Sequence, residues 1–88
     1  MAVPVVSVVI PTFSRIRPLR ACLESLALQT MRAADFEVVV VDDGSPAPAD
    51  GLEAEFASRL QLRVVRQANA GPAAARNRGV HEAVGALV

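Results

Sequence analysis

The sequence has no lysine, no tryptophan and no tyrosine, and it carries a single cysteine. Without lysine the Gly-Lys-Ser/Thr ending of a P-loop cannot be formed, which removes that route to phosphate binding. One cysteine, Cys22, excludes an internal disulfide. A lone thiol suits a reducing compartment, so a cytoplasmic location is expected. The only aromatics are Phe13, Phe36 and Phe56, which leaves an interior of valine, alanine and leucine. With 52% of residues hydrophobic, the chain is too apolar to be a disordered tail.

Other absences narrow the function. The nine arginines are scattered and balance the nine acids, so no basic face marks a nucleic-acid partner. No apolar run approaches the ~20 residues that span a bilayer. Residues 2–10 are apolar but lack a basic leader and contain Pro4 and Ser7, which reads as a strand and not a signal peptide. A dinucleotide fold needs glycines after its first strand, and this chain has Pro11-Thr-Phe-Ser-Arg15 there. A phosphoacceptor receiver would need acids at that point. The Asp-x-Asp-Gly-Thr of aspartate-nucleophile phosphatases fails because Val41 stands at the nucleophile position. Ser45 has no histidine arranged to activate it, and His81 has no second ligand at metal-binding spacing.

What is present alternates. Val5 to Ile10 predicts a strand stopped by Pro11, and Pro18 fits the first turn of a helix whose apolar stripe is Leu19, Cys22, Leu23, Leu26 and Ala27. Cys22 on that stripe is expected in the core. Phe36 to Val41 predicts a second strand, four consecutive valines suiting burial on both faces. A turn-rich loop follows, then a helix over Leu52 to Leu60, a strand over Leu62 to Val65, and a helix from Pro72 to about Val84. Ala86 to Val88 reads as the first residues of a fourth strand. The pattern implies an α/β fold, a doubly wound and mainly parallel sheet, truncated at the start of that strand. Residues 1–88 thus read as one incomplete domain, and its open apolar edge predicts marginal stability or self-association.

In open α/β sheets ligands bind at the carboxyl ends of the strands. Three loops meet there: Pro11, Thr12, Phe13 and Ser14; Asp42, Asp43, Gly44 and Ser45; and Asn69, Ala70 and Gly71, with Arg76 and Asn77 just beyond. A flat ring, a carboxylate, small residues that expose backbone and a cation suit a nucleotide. Each piece also has a plain structural reading. Phe13 can pack on the neighbouring helix, Asp42 and Asp43 can form turns or caps, and Arg76 and Arg78 can lie on a solvated helix face.

Four segments together carry a resemblance: Ser7-Val-Val-Ile-Pro-Thr-Phe-Ser14, Leu23-Glu-Ser-Leu-Ala-Leu-Gln-Thr30, Phe36-Glu-Val-Val-Val-Val-Asp-Asp-Gly-Ser45 and Asn69-Ala-Gly-Pro-Ala-Ala-Ala-Arg-Asn-Arg-Gly79. In order and spacing they resemble the amino-terminal part of a family-2 glycosyltransferase of the GT-A, Rossmann-like fold. The resemblance implies a sugar-nucleotide donor, most often a UDP-sugar or else one of another nucleoside diphosphate, whose sugar the complete enzyme transfers with inversion to an acceptor hydroxyl. Pro11, Thr12 and Phe13 would line the uracil pocket, Asp43 would accept the base imide N–H with Asp42 close by, and Arg76 would lie near the diphosphate.

The same resemblance implies what is missing. The family's metal-binding Asp-x-Asp follows the next strand and its catalytic base lies further still. Mg²⁺ or Mn²⁺ is therefore expected for the complete enzyme, with no metal ligand and no catalytic residue in this chain. The chain alone is expected to be inactive, and a parent protein with a membrane-associated part is compatible with it. The alternative is a non-catalytic nucleotide-binding or structural module completed by a partner.

Overall fold

The computed structural model describes residues 6–29, 32–46 and 51–87. Four parallel strands, β1 (Val6–Thr12), β2 (Phe36–Asp42), β3 (Gln61–Arg66) and β4 (Ala86–Leu87), lie in the order β3-β2-β1-β4. Helices α1 (Ile16–Ala27), α2 (Leu52–Phe56) and α3 (Pro72–Glu82) connect them, with a short 3₁₀ turn at Ala33–Asp35 before β2. This is the expected α/β layer.

β2 is buried along its whole length, because it has a strand on each side and helices on both faces. Its side chains alternate between two cores. Val38 and Val40 join Leu19, Leu23, Phe36, Leu52, Phe56 and Leu60, whereas Val39 and Val41 meet Ala75 of α3. α3 lies close against the sheet. A Cβ at Gly79 would overlap Val9 Cγ1, so only glycine allows that approach.

Several expectations are corrected. Pro11 does not stop β1, which runs on to Thr12. Asp43 N–H donates to Thr12 O, so Thr12 turns its backbone polar groups toward β2 and Pro11 turns its own away. The missing N–H therefore costs no bond in the β1–β2 ladder. α1 begins at Ile16, with Leu19 N–H donating to Arg15 O at 3.0 Å, and Pro18 sits in its first turn as expected. Cys22 is exposed. The packed stripe narrows to Leu19, Leu23, Leu26 and Ala27, and Cys22 stands at its margin.

α2 ends at Phe56 and not at Leu60, although Leu52, Phe56 and Leu60 are all buried on one face as expected. Phe56 O accepts both Arg59 N–H and Leu60 N–H at 2.9 Å, and this tightened turn aims the chain into β3. α3 stops at Glu82, where Ala83 turns extended (φ −72°, ψ 143°) to enter β4. Val88 lies outside the described residues. β4 pairs with β1 only through Val6–Ala86 and Ser7–Leu87; among the described residues no strand covers the rest of that edge of β1.

Candidate functional site

The register brings the carboxyl ends of the strands level. Thr12 pairs with Asp42, and Asp42 pairs with Arg66. The ladder continues one step into the loops, with Asp43 N–H on Thr12 O at 2.9 Å and Gln67 N–H on Asp42 O at 3.0 Å. Successive side chains of an extended segment point to opposite sides, so the two adjacent acids meet different surroundings.

Asp43 turns toward the loop between β3 and α3. Its Oδ1 accepts the Gln67 side-chain amide and the Ala70 N–H, both at 2.9 Å. Its Oδ2 accepts the Gly71 N–H at 2.9 Å and Asn69 Nδ2 at 3.3 Å. The Gln67 amide first, then Ala70 N–H, hold this carboxyl below the usual carboxylate range; desolvation opposes them and Gly71 N–H adds to them. A carboxylate offers about four lone-pair sites, and all are addressed. Asn69 Nδ2 also donates to Asp43 O at 3.0 Å. Its longer bond to Oδ2 is therefore the one that an incoming N–H can most readily replace. Gly44, at φ +82°, makes the loop contact possible, since a Cβ there would stand 2.8 Å from Asn69 N.

Asp42 is fully buried and faces the other way. Its Oδ1 accepts Ser45 N–H at 3.0 Å and its Oδ2 lies 3.4 Å from Arg66 Nη1. The turn-forming reading of this acid is the one its contacts match.

A cleft of about 410 Å³ opens over Asp43. Pro11, Thr12 and Phe13 form its β1 side, and Asn69, Gly71, Pro72 and Ala75 its α3 side, with Arg15 at the rim. Phe13 is 46% exposed, presenting its ring to the cleft instead of burying it against a helix. Thus Pro11, Thr12, Phe13 and Asp43 come together, as the sequence suggested. Asp42 lies behind them. Arg76 is exposed one residue beyond Ala75 and does not line the cleft. His81 and Arg78 lie on the far turns of α3, where Arg78 pairs with Glu82 at 3.2 Å.

Two contributors were missed from sequence. Arg15 stands just before the first residue of α1 at the cleft, and among the described residues no acid pairs with it. Its place directly after the first loop was the available signal. Gln67 gave no signal, because its role exists only once β3 is placed beside β2.

No group of three or more histidine, cysteine or acidic side chains suited to a metal occurs among the described residues. Asp42 and Asp43 do not fit a divalent cation: a guanidinium occupies one carboxylate and four N–H donors the other. No helix of the described residues is long and apolar enough to cross a membrane.

Comparison with known proteins gives a consistent result. The family model described as glycosyl transferase family 2 matches residues 7–88. Validoxylamine A glucosyltransferase of Streptomyces hygroscopicus subsp. jinggangensis is 42% identical over 88 residues, covering 98% of this chain and 21% of that protein. The PGL/p-HBAD biosynthesis glycosyltransferase of Mycobacterium bovis is 41% identical, covering 97% and 33%. The crystal structure of S. aureus TarS 1-349 in complex with UDP-GlcNAc superimposes with a TM-score of 0.81 at 33% identity, covering 97% of this chain and 24% of that one. Mannosyltransferase PcManGT of Pyrobaculum calidifontis, in complex with GDP-Man and Mn²⁺, gives 0.78 at 27% identity, covering 91% and 24%. The chain spans a third or less of the length of each of these proteins.

Proposed function

Because the chain belongs to glycosyl transferase family 2, we propose that its residues form the amino-terminal, nucleotide-binding portion of a glycosyltransferase whose donor is a UDP-sugar. The observation that carries this reading is the ionised Asp43 carboxylate at the floor of a cleft walled by Thr12 and Phe13. An acceptor-only group there favours a base whose ring nitrogen carries hydrogen. Uracil meets that requirement; so does guanine, whereas adenine and cytosine present a ring acceptor. Uracil is favoured by the TarS complexes with UDP-GlcNAc and UDP, which are closer in sequence than the GDP-Man complex.

In this reading Phe13 stacks on the base and Thr12 and Pro11 border it. Arg15 and, with reorientation of its exposed side chain, Arg76 supply positive charge for the diphosphate. Asp42 serves the site through its neighbours and does not touch the ligand. Transfer to an acceptor hydroxyl belongs to the whole protein, as does the Mg²⁺ or Mn²⁺ expected for it, since Asp42 and Asp43 are already engaged by a guanidinium and by N–H donors. The exposed Cys22 thiol accords with a cytoplasmic location. The partly covered edge of β1 is where self-association would begin.

Titration of the full chain with UDP, GDP, ADP and CDP by calorimetry tests the reading. UDP is expected to bind at least about tenfold more tightly than ADP or CDP, the discrimination one charge-assisted hydrogen bond supplies. Equal affinity for all four would overturn it, and a preference for GDP would move the donor to a GDP-sugar.

A further inference from the structure

Ser14 is the one residue other than glycine with a positive φ among the described residues, at +53°. Serine seldom adopts this left-handed conformation unaided. Here it is held from beneath. Ser14 N–H donates to Ser45 Oγ at 2.8 Å, and Ser45 is only 3% exposed. Ser45 is itself gripped on both sides: its N–H donates to Asp42 Oδ1 at 3.0 Å, and its carbonyl accepts Arg66 Nη2 at 2.7 Å. Arg66 Nη1 closes the circuit at 3.4 Å from Asp42 Oδ2. The contacts run from the end of β3, through the end of β2, to the residue that sits between Phe13 and Arg15. Both of those line the cleft.

We infer that Asp42, Ser45 and Arg66 form a brace that fixes the left-handed turn at Ser14 and so sets the course of the Phe13 segment along the cleft, a positioning role that rests on the nucleotide reading above. The brace gives the two adjacent acids separate tasks. Asp43 faces the ligand; Asp42, buried one residue earlier, holds the wall against which the ligand stacks. It also makes Ser45 more than a turn residue, because among the described residues its hydroxyl is the one acceptor of the Ser14 amide.

The test uses Ser45→Ala and Ser14→Gly in the full chain, singly and combined, with UDP as the probe. Ser45→Ala removes the acceptor while leaving the backbone bond to Asp42 in place. UDP binding is expected to weaken about fivefold and exchange of the Ser14 amide to quicken about fivefold, the effect of one net hydrogen bond. Glycine takes the left-handed conformation without help. The double variant is therefore expected to bind UDP within about twofold of Ser14→Gly alone. Rescue of this kind would not follow from a general loss of stability. Wild-type affinity and unchanged Ser14 exchange in Ser45→Ala would overturn the brace, as would a double variant no better than Ser45→Ala. Should the wild-type chain not bind UDP, the nucleotide reading falls by itself. The Ser14 exchange rate then still decides the brace, quickening in Ser45→Ala upholding it and no change overturning it.

Discussion

β2 carries one buried carboxylate near its start and another just past its finish, and the two are partnered in different ways. Glu37 Oε2 accepts the Ser7 hydroxyl at 2.6 Å and Val84 N–H at 2.8 Å, while Arg63 stands 3.6 Å from Oε1. Ser7 Oγ in turn accepts Gly85 N–H at 2.8 Å, and Arg63 reaches on to Glu82 at 3.3 Å. These partners come from β1, β3 and the segment between α3 and β4, so Glu37 fastens structural elements to one another. Asp43 takes its donors from a single loop and opens onto a cleft. One end of the strand closes the fold and the other opens a cleft. The same chemical group, a carboxylate, serves either purpose according to what surrounds it.

Breaking the closed end has the largest expected effect. Glu37→Ala leaves Ser7 Oγ–H and Val84 N–H without their acceptor and Arg63 with Glu82 alone, and the fold is expected to lose about 3 kcal/mol in urea denaturation. UDP affinity of the fraction that remains folded is expected to hold. A variant as stable as wild type would show that the network contributes nothing net.

At the open end the order of effects inverts. Asp43→Ala is expected to weaken UDP binding by about tenfold or more and to remove the discrimination against ADP, read in the same calorimetric titrations. If selectivity survives, the base is recognised elsewhere. Phe13→Ala is expected to cost about fivefold in UDP affinity, the low end for one stacked base, with little change in stability because the ring is already half exposed. Phe13→Tyr retains the stacking face and is expected to bind like wild type.

The smallest effect is in pH. For Glu37, burial pushes the carboxyl up, but Ser7, Val84 and Arg63 more than offset it and hold the folded value low. Asp43 is also held low. A carboxyl with a depressed folded pKa adds stability above its unfolded pKa and loses it as pH falls through the folded value. Stability is therefore expected to decline from about pH 4 downward. Glu37→Gln and Asp43→Asn should each flatten that decline relative to wild type. An acid limb unchanged in either variant would show that its carboxyl is not held low in the folded chain.

How much of this was legible beforehand varies by residue. The valine run and the alternation with helical stripes marked β2 as a strand covered on both faces and its carboxyl end as the edge where the three loops meet. Both follow from local periodicity and from the rule that a strand apolar on every residue must be covered on both faces. Element ends were less readable. Pro11 looked like a terminator because the sequence does not show toward which neighbour a strand residue directs its N–H. Cys22 looked buried because a helical stripe drawn by spacing alone has no fixed margin.

By itself the sequence determined the order of elements, the aliphatic core and the arrival of Asp42 and Asp43 at one edge of the sheet, since these depend on residue type and short-range spacing. Residue type and spacing left open which of the two acids faces the cleft; the resemblance pointed to Asp43, and the tertiary structure supplied the reason. That depended on Arg66 and Ser45 on one side and Gln67, Ala70 and Gly71 on the other, groups up to 28 residues away from the acid they bind. A side chain's task is set by the donors that reach it, and contacts over that distance exist only after the strands have paired.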